Sequence, residues 1–254
     1  MKVVEALAHI LKREGVEYLF AYPLNPLIEA AAALDIRPII VRQERTGLHM
    51  ADAFSRLGGG KKIGVFVMQQ GPGSENSFGG VAQAYSESVP ILIIPAGHEH
   101  GMMHRFPNFN SSRSYRDITK HCEPLTSADA VFDVMRRAFS ELRNGRPGPV
   151  LVEIPADVYG QEVNAKGKYA SPQAVRTAPD PAAVSKVAEV LAVAERPVIY
   201  AGQGVHYAKA WTELKDLAET WSIPVCTSLE GKSAFPEDHP LALGAGGRAV
   251  PKPV

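Results

Sequence analysis

Three runs, "IGVFVM" (63–68), "VPILIIPAG" (89–97) and "GPVLVEIP" (148–155), are apolar at nearly every position and lack the in-out alternation of a strand with one wet face. Strands of this kind have to be covered on both sides, which is the condition of a parallel sheet between helical layers. The segments between them supply such layers. Val3, Val4, Leu7, Ile10 and Leu11 mark one helix face, with Gly15 placed to end the helix before the strand "YLFAYP". "PLIEAAAALD" reads as a proline-started helix, "PIIVR" as a strand and "RQERTGLHMADAFSR" as a helix ending at Gly58 to Gly60. "GPGSEN" reads as a break before the helix "SFGGVAQAYSES", and "SADAVFDVMRRAFSELRN" is strongly helix-periodic. The fold class expected is α/β, a doubly wound parallel sheet.

The pattern pauses and restarts. "YGQEVNAKGKYASPQAVRTAPD" (159–180) is small, polar and aperiodic, as an interdomain connection would be. Beyond it come the helix "PAAVSKVAEVLAVA", the strand "RPVIYAGQGV", the helix "AKAWTELKDLAETW" and the strand "IPVCTS". Three parts are expected: a domain over 1–160, a linker over 161–180, and over 181–254 the beginning of a second, Rossmann-like α/β domain. Two clear strands are few for a sheet covered on both faces.

Charge narrows the partners. The 27 basic and 27 acidic residues cancel, so no broad footprint for nucleic acid or an anionic membrane is expected. The amphipathic N-terminus has no secretory h-region, and no long apolar span occurs, which reads as a cytoplasmic protein. Cys122 and Cys226 lack CxxC spacing and read as structural thiols.

Several local patterns are weak. "GGGKK" (58–62) lacks phosphate-loop spacing and suits a glycine helix end, and "GQG" (202–204) lacks the third glycine of a dinucleotide turn, Tyr207 standing there instead. His98, Glu99, His100 and His104 form a ligand-like cluster whose spacing matches no common metal site, so no metal is assigned within the chain. No G-x-S-x-G elbow occurs.

The informative signal is the order of three turns. "AYPLNP", "RQERTG" and "QQGPGSEN" follow the first three strands, and in a doubly wound sheet such segments converge on the edge where ligands bind. Glu44 stands alone there, with no other acid between Asp35 and Asp52. Electrostatics at a helix N-terminus accounts for an exposed acid at that place, and glycines suit either a tight turn or a backbone approaching a flat ligand.

These stretches resemble the thiamine diphosphate-dependent decarboxylases and carboligases, acetolactate synthase large subunits above all. That family has a Tyr-Pro turn, then "RHEQxAxHMADGYAR", "GPGxxN" and "GRPGPVLVxIP". The corresponding stretches here are "AYP", "RQERTGLHMADAFSR", "GPGSEN" and "GRPGPVLVEIP", over roughly residues 2 to 157, and "RPVIYAGQGV" and "SIPVCTSLEGKSAFPEDHPLALG" resemble the start of the family's central domain. The resemblance implies that Glu44 hydrogen-bonds N1′ of the cofactor's aminopyrimidine, favouring the imino form that removes the thiazolium C2 proton for attack on a 2-keto acid. Withdrawing a carboxyl group from water favours its neutral form, so that it can share a proton with a ring nitrogen. By the same resemblance Tyr22 and Pro23 lie near the pyrimidine, Gly71, Pro72, Gly73 and Asn76 form its other wall, and His49 supports Glu44.

Departures from the family bear on substrate. "YPLN" replaces "YPGG" and "QQGPG" replaces "TSGPG", so Leu24, Asn25, Gln69 and Gln70 are expected in the substrate pocket, with Phe106, Phe109 and Arg113 from the following loop. The family's Gly-Asp-Gly motif, which with a downstream asparagine holds the diphosphate and Mg²⁺, occurs nowhere in these 254 residues. The resemblance therefore implies half of a site, completed by a C-terminal diphosphate-binding domain or a partner chain in a homodimer or higher oligomer. FAD is left open, and a non-catalytic binding or assembly subunit remains the rival to a catalytic half.

Overall fold

A computed structural model describes residues 1–103, 105–164 and 168–246. The chain forms two compact units, Met1–Arg176 and Thr177–Val254. In the first, strands β1 (Tyr18–Tyr22), β2 (Arg37–Ile40), β3 (Gly64–Met68), β4 (Ile91–Gly97), β5 (His121–Pro124) and β6 (Val150–Pro155) make one sheet in the order β2-β1-β3-β4-β6-β5. Every pairing is parallel. The expected doubly wound sheet is present.

The apolar runs have a direct explanation in this sheet. Successive side chains of a strand point to opposite faces. Val65, Val67, Leu92 and Ile94 enter a core shared with helices α1 (Val3–Arg13) and α2 (Asn25–Ala32), to which Phe139 and Leu142 also contribute. Phe66, Met68, Ile91 and Ile93 enter a second core, shared with α3 (Glu44–Leu57) and α4 (Pro72–Ser86) through Leu48, Ala51, Val81 and Ala84. Both faces are dry, so neither set of alternate positions can be polar unless partners satisfy the group.

Two sequence expectations need correction. "PGSEN" does not precede a helix: it is the first turn of α4, with Pro72 at the position whose missing N–H would have no helical partner. The second is an unforeseen strand, β5, which occupies the sheet edge after the short helix α5 (Ser111–Ser114). Its sequence, "HCEP", is half-buried throughout and lacks an apolar run, because an edge strand has less surface to cover. The helix α6 (Val131–Arg143) buries Val131, Val134, Met135, Ala138, Phe139 and Leu142 at the expected spacing.

Described residues of the stretch read as a connection are fastened to the first unit. Val163 donates its amide to Met1, Arg143 donates to the carbonyl of Pro172, and the Tyr169 hydroxyl donates to the buried carboxylate of Glu14, which also pairs with Arg143. In the second unit, β7 (Ile199–Ala201), β8 (Val225–Thr227) and an unexpected third strand, β9 (Ala242–Ala245), form a small parallel sheet. Helices α7 (Pro181–Ala192), α8 (Gly204–Ala208) and α9 (Trp211–Trp221) accompany it. No described helix is long and apolar enough to cross a membrane.

Candidate functional site

The register of the sheet brings three turns together. Tyr22, at the end of β1, lies opposite Met68 at the end of β3, while Ala21 lies opposite Ile40 at the end of β2. Because the strands are parallel, the turns after all three leave the same edge. Glu44 opens α3 there and is only 4% exposed. Its Oε2 accepts from Asn76 Nδ2 at 3.1 Å, so the carboxylate is bonded across the cleft to α4.

The opposing wall depends on two glycines. Gly71 sits at φ 62° and ψ −114°, a conformation that L side chains resist, and this turn starts α4 directly after β3. A Cβ at Gly73 would lie 2.8 Å from Gln69 Cγ and 3.4 Å from Glu44 Oε1. A side chain at 73 would therefore fill the space beside the carboxylate, and its absence leaves backbone as the surface that a flat ring can approach.

The other expected site residues distribute unevenly. Tyr22 is half-buried and Pro23 exposed at the end of β1, while Gln69, half-buried, and Gln70, exposed, follow β3. Pro72 and Asn76 are exposed on the first turns of α4. Leu24 is buried in the core beneath α1 and α2, and Asn25 is an exposed first residue of α2. Phe106 is 98% exposed, whereas Phe109 packs edge-on against Tyr115 with ring centroids 6.4 Å apart. Arg113 lines a different cavity, beside β5. His49 is exposed and makes no hydrogen bond to Glu44; Asn76 supplies that support. Of the histidine cluster, His98 and His100 do not join a third ligand into a metal-binding group among the described residues, and His104 lies outside them.

Behind the glycine wall is a buried network with little trace in the sequence. Glu153, 2% exposed on β6, accepts from the backbone amides of Ser111 at 3.3 Å and Ser112 at 2.8 Å. Ser111 Oγ then donates to Ser74 Oγ at 2.9 Å, and the Tyr115 hydroxyl donates to the Ser74 carbonyl. Ser74 belongs to the same first turn of α4 as Gly73. Burial holds the Tyr115 hydroxyl well above the usual tyrosine range, with Cys122 and Glu75 adding to it, so it remains a donor. The one available signal was an acid inside the otherwise apolar "VLVEIP".

Two family models match, "Thiamine pyrophosphate enzyme, N-terminal TPP binding domain" over residues 1–117 and "Thiamine pyrophosphate enzyme, central domain" over residues 184–254. A Methanocaldococcus jannaschii protein named "Probable acetolactate synthase large subunit" is 38% identical over 96% of this chain and 43% of its own length. A glyoxylate carboligase of Escherichia coli is 33% identical over 96% of this chain and 42% of its own. The X-ray structure of a protein from Mycobacterium smegmatis, described as a thiamin diphosphate-dependent enzyme, superposes with a TM-score of 0.84 at 24% identity, covering 96% of this chain and 48% of that one. The chain thus spans less than half the length of the curated relatives it matches. It belongs to the thiamine pyrophosphate enzymes and carries their N-terminal TPP-binding domain together with central-domain sequence.

Proposed function

We propose that this chain provides the pyrimidine half of an acetolactate synthase-like active site acting on 2-keto acids. The observation that carries the reading is Glu44: a buried acid on the ligand-binding edge, oriented by Asn76 and facing a stretch of bare backbone at Gly73. An acid that only favoured its helix N-terminus could do so from the surface, without the desolvation cost of burial.

The residues present fit a flat, nitrogen-bearing ring. Glu44 shares a proton with the aminopyrimidine nitrogen N1′, and such a charge-assisted bond contributes about 1.5–3 kcal/mol. Asn76 fixes which way the carboxylate faces, and Tyr22 and Pro23 border the ring from the end of β1. When bound, thiamine diphosphate supplies the carbon nucleophile for decarboxylation and carboligation. Its diphosphate and Mg²⁺ take their ligands from a domain or chain other than these 254 residues, in a homodimer or higher oligomer. On this reading the isolated chain does not turn over 2-keto acids.

The test uses enzyme in which the diphosphate-binding half is also present. Glu44→Gln keeps the shape of the side chain and removes the transferable proton. Exchange of the cofactor's C2 proton is expected to slow by roughly 10²–10⁴-fold. Unchanged exchange with cofactor still bound would remove the catalytic role and leave a binding or assembly subunit.

A further inference from the structure

A cavity of about 460 Å³ opens on the first unit, lined by residues that follow β4 and by the carboxyl end of β5. Arg113, Arg116, Ser112, Met103, Pro124 and Thr126 are among the residues that line it. Neither Glu44, Gly71, Gly73 nor Asn76 is among its lining residues. Three strand spacings, about 14 Å, lie between β3 and β5 in this sheet.

Its electrostatics are one-sided. Arg113 and Arg116 stand three residues apart, and among the described residues neither guanidinium has a hydrogen bond or an ion pair. Of the nearby acids, exposed Asp117 follows Arg116 in the chain and does not pair with it, and three others are engaged elsewhere. Glu153 accepts the Ser111 and Ser112 amides, Asp157 pairs with His100, and Glu123 pairs with Arg137 and His121. Two like charges at this spacing repel, and a shared counter-anion removes the penalty. A carboxylate suits the place because guanidinium groups bind it through paired N–H donors. The apolar lining from Met103 and Pro124 suits a short hydrocarbon body.

The shape of the cavity wall is fixed from behind. The His100 ring lies between Asp157 and Thr126, with Nδ1 2.9 Å from Asp157 Oδ2 and Nε2 3.0 Å from the Thr126 carbonyl, joining the segment after β4 to the segment after β5. Cys122 Sγ contacts the Ser112 carbonyl at 3.3 Å, and Glu153 holds the Ser112 amide. The arginines therefore project from an anchored turn.

We propose that this cavity is a second ligand site, one that binds the carboxylate of a small organic acid between Arg113 and Arg116. It depends on neither Glu44 nor the cofactor, so its failure and that of the catalytic reading are independent.

The test is an NMR titration of the 254-residue chain with isobutyrate, with its neutral isostere isobutyramide, and with inorganic phosphate. Isobutyrate is expected to shift the amides of Ser112, Arg113 and Thr126 saturably, the amide probe to leave them unmoved, and phosphate to bind several-fold more weakly. R113Q/R116Q is expected to weaken isobutyrate binding at least about tenfold, each lost pair being charge-assisted. If that double variant fails to fold, R116K decides the matter: it retains the charge but not the fork, and binding should weaken about threefold or more. The proposal is overturned by the absence of saturable shifts up to about 50 mM, by equal binding of isobutyramide or phosphate, or by variants that bind as the parent chain does.

Discussion

Helices α1 and α7 are nearly the same length, 11 and 12 residues, yet α1 buries six side chains and α7 buries none. Both have apolar residues at helix spacing. Both are also capped: Asp180 accepts the Ala182 amide at the start of α7, which has proline in its first turn, and Glu5 accepts the Lys2 amide at the start of α1. The contrast separates two conditions that sequence reading tends to merge. Local signals specify that a helix forms and where it begins, while burial depends on whether another layer covers its apolar stripe. In the second unit Val184, Val187 and Val190 are each more than half exposed, and the buried apolar side chains among the described residues are few: Ala201, Ala218, Ile223, Val225, Ala234 and Phe235.

The largest test of this contrast is native-state hydrogen exchange. Amides of β4 and β6, central in the first sheet, are expected to exchange only through global opening, and those of α7 through local fraying, a difference of roughly 10⁴-fold in protection. Comparable protection of α7 and β4 would break the comparison. Substitution gives the next largest effect. Phe66→Ala empties a fully buried position and is expected to lower stability by about 3–5 kcal/mol. Val187→Ala, at a side chain 59% exposed, should change it by less than about 0.5 kcal/mol. Urea midpoints of the two variants measure both.

A further test, within the first unit, concerns alkaline pH. In the first unit burial pushes the Cys122 thiol up to about 12 from its ordinary 9.0, and raises the Tyr115 and Tyr159 hydroxyls from their ordinary 10.0. The folded chain keeps these protons where the unfolded chain has released them, so the unfolded state binds fewer protons and stability falls as pH rises. The Cys122 contribution is complete below pH 9.0 and gone above about 12. The urea midpoint of the first unit should therefore fall between pH 9.0 and about 12, and a flat profile would mean that these groups are not withdrawn from water in solution.

How far the chain was legible follows the same division. The apolar runs of β3, β4 and β6 revealed a sheet covered on both sides, because a strand in that position can be polar only where partners satisfy the group, as at Glu153. Edge strand β5 and short β9 are freer to be polar, and both escaped notice. In the candidate site, Glu44 stood out through its isolation and through the order of motifs around it. Asn76 was placed on the wall, but its bond to Glu44 and the Glu153 to Ser74 network depend on side chains 32 to 42 positions apart. Such pairings leave no periodicity to read. Leu24 misled for the opposite reason: its place next to a functional turn suggested a pocket, while the helix it precedes turned it into the core.

The bonds from Glu153 to Ser111 and Ser112 bear on how relatives of this chain can diverge. They anchor the far end of the segment between Gly97 and Asn110 independently of what that segment contains. Substitutions within it can accumulate while Ser111 and Tyr115 keep their grip on Ser74, and so on the turn that carries Gly73. The turn that carries Gly73 is thus held from β6 and α5 rather than by the surface segment that precedes them in the chain.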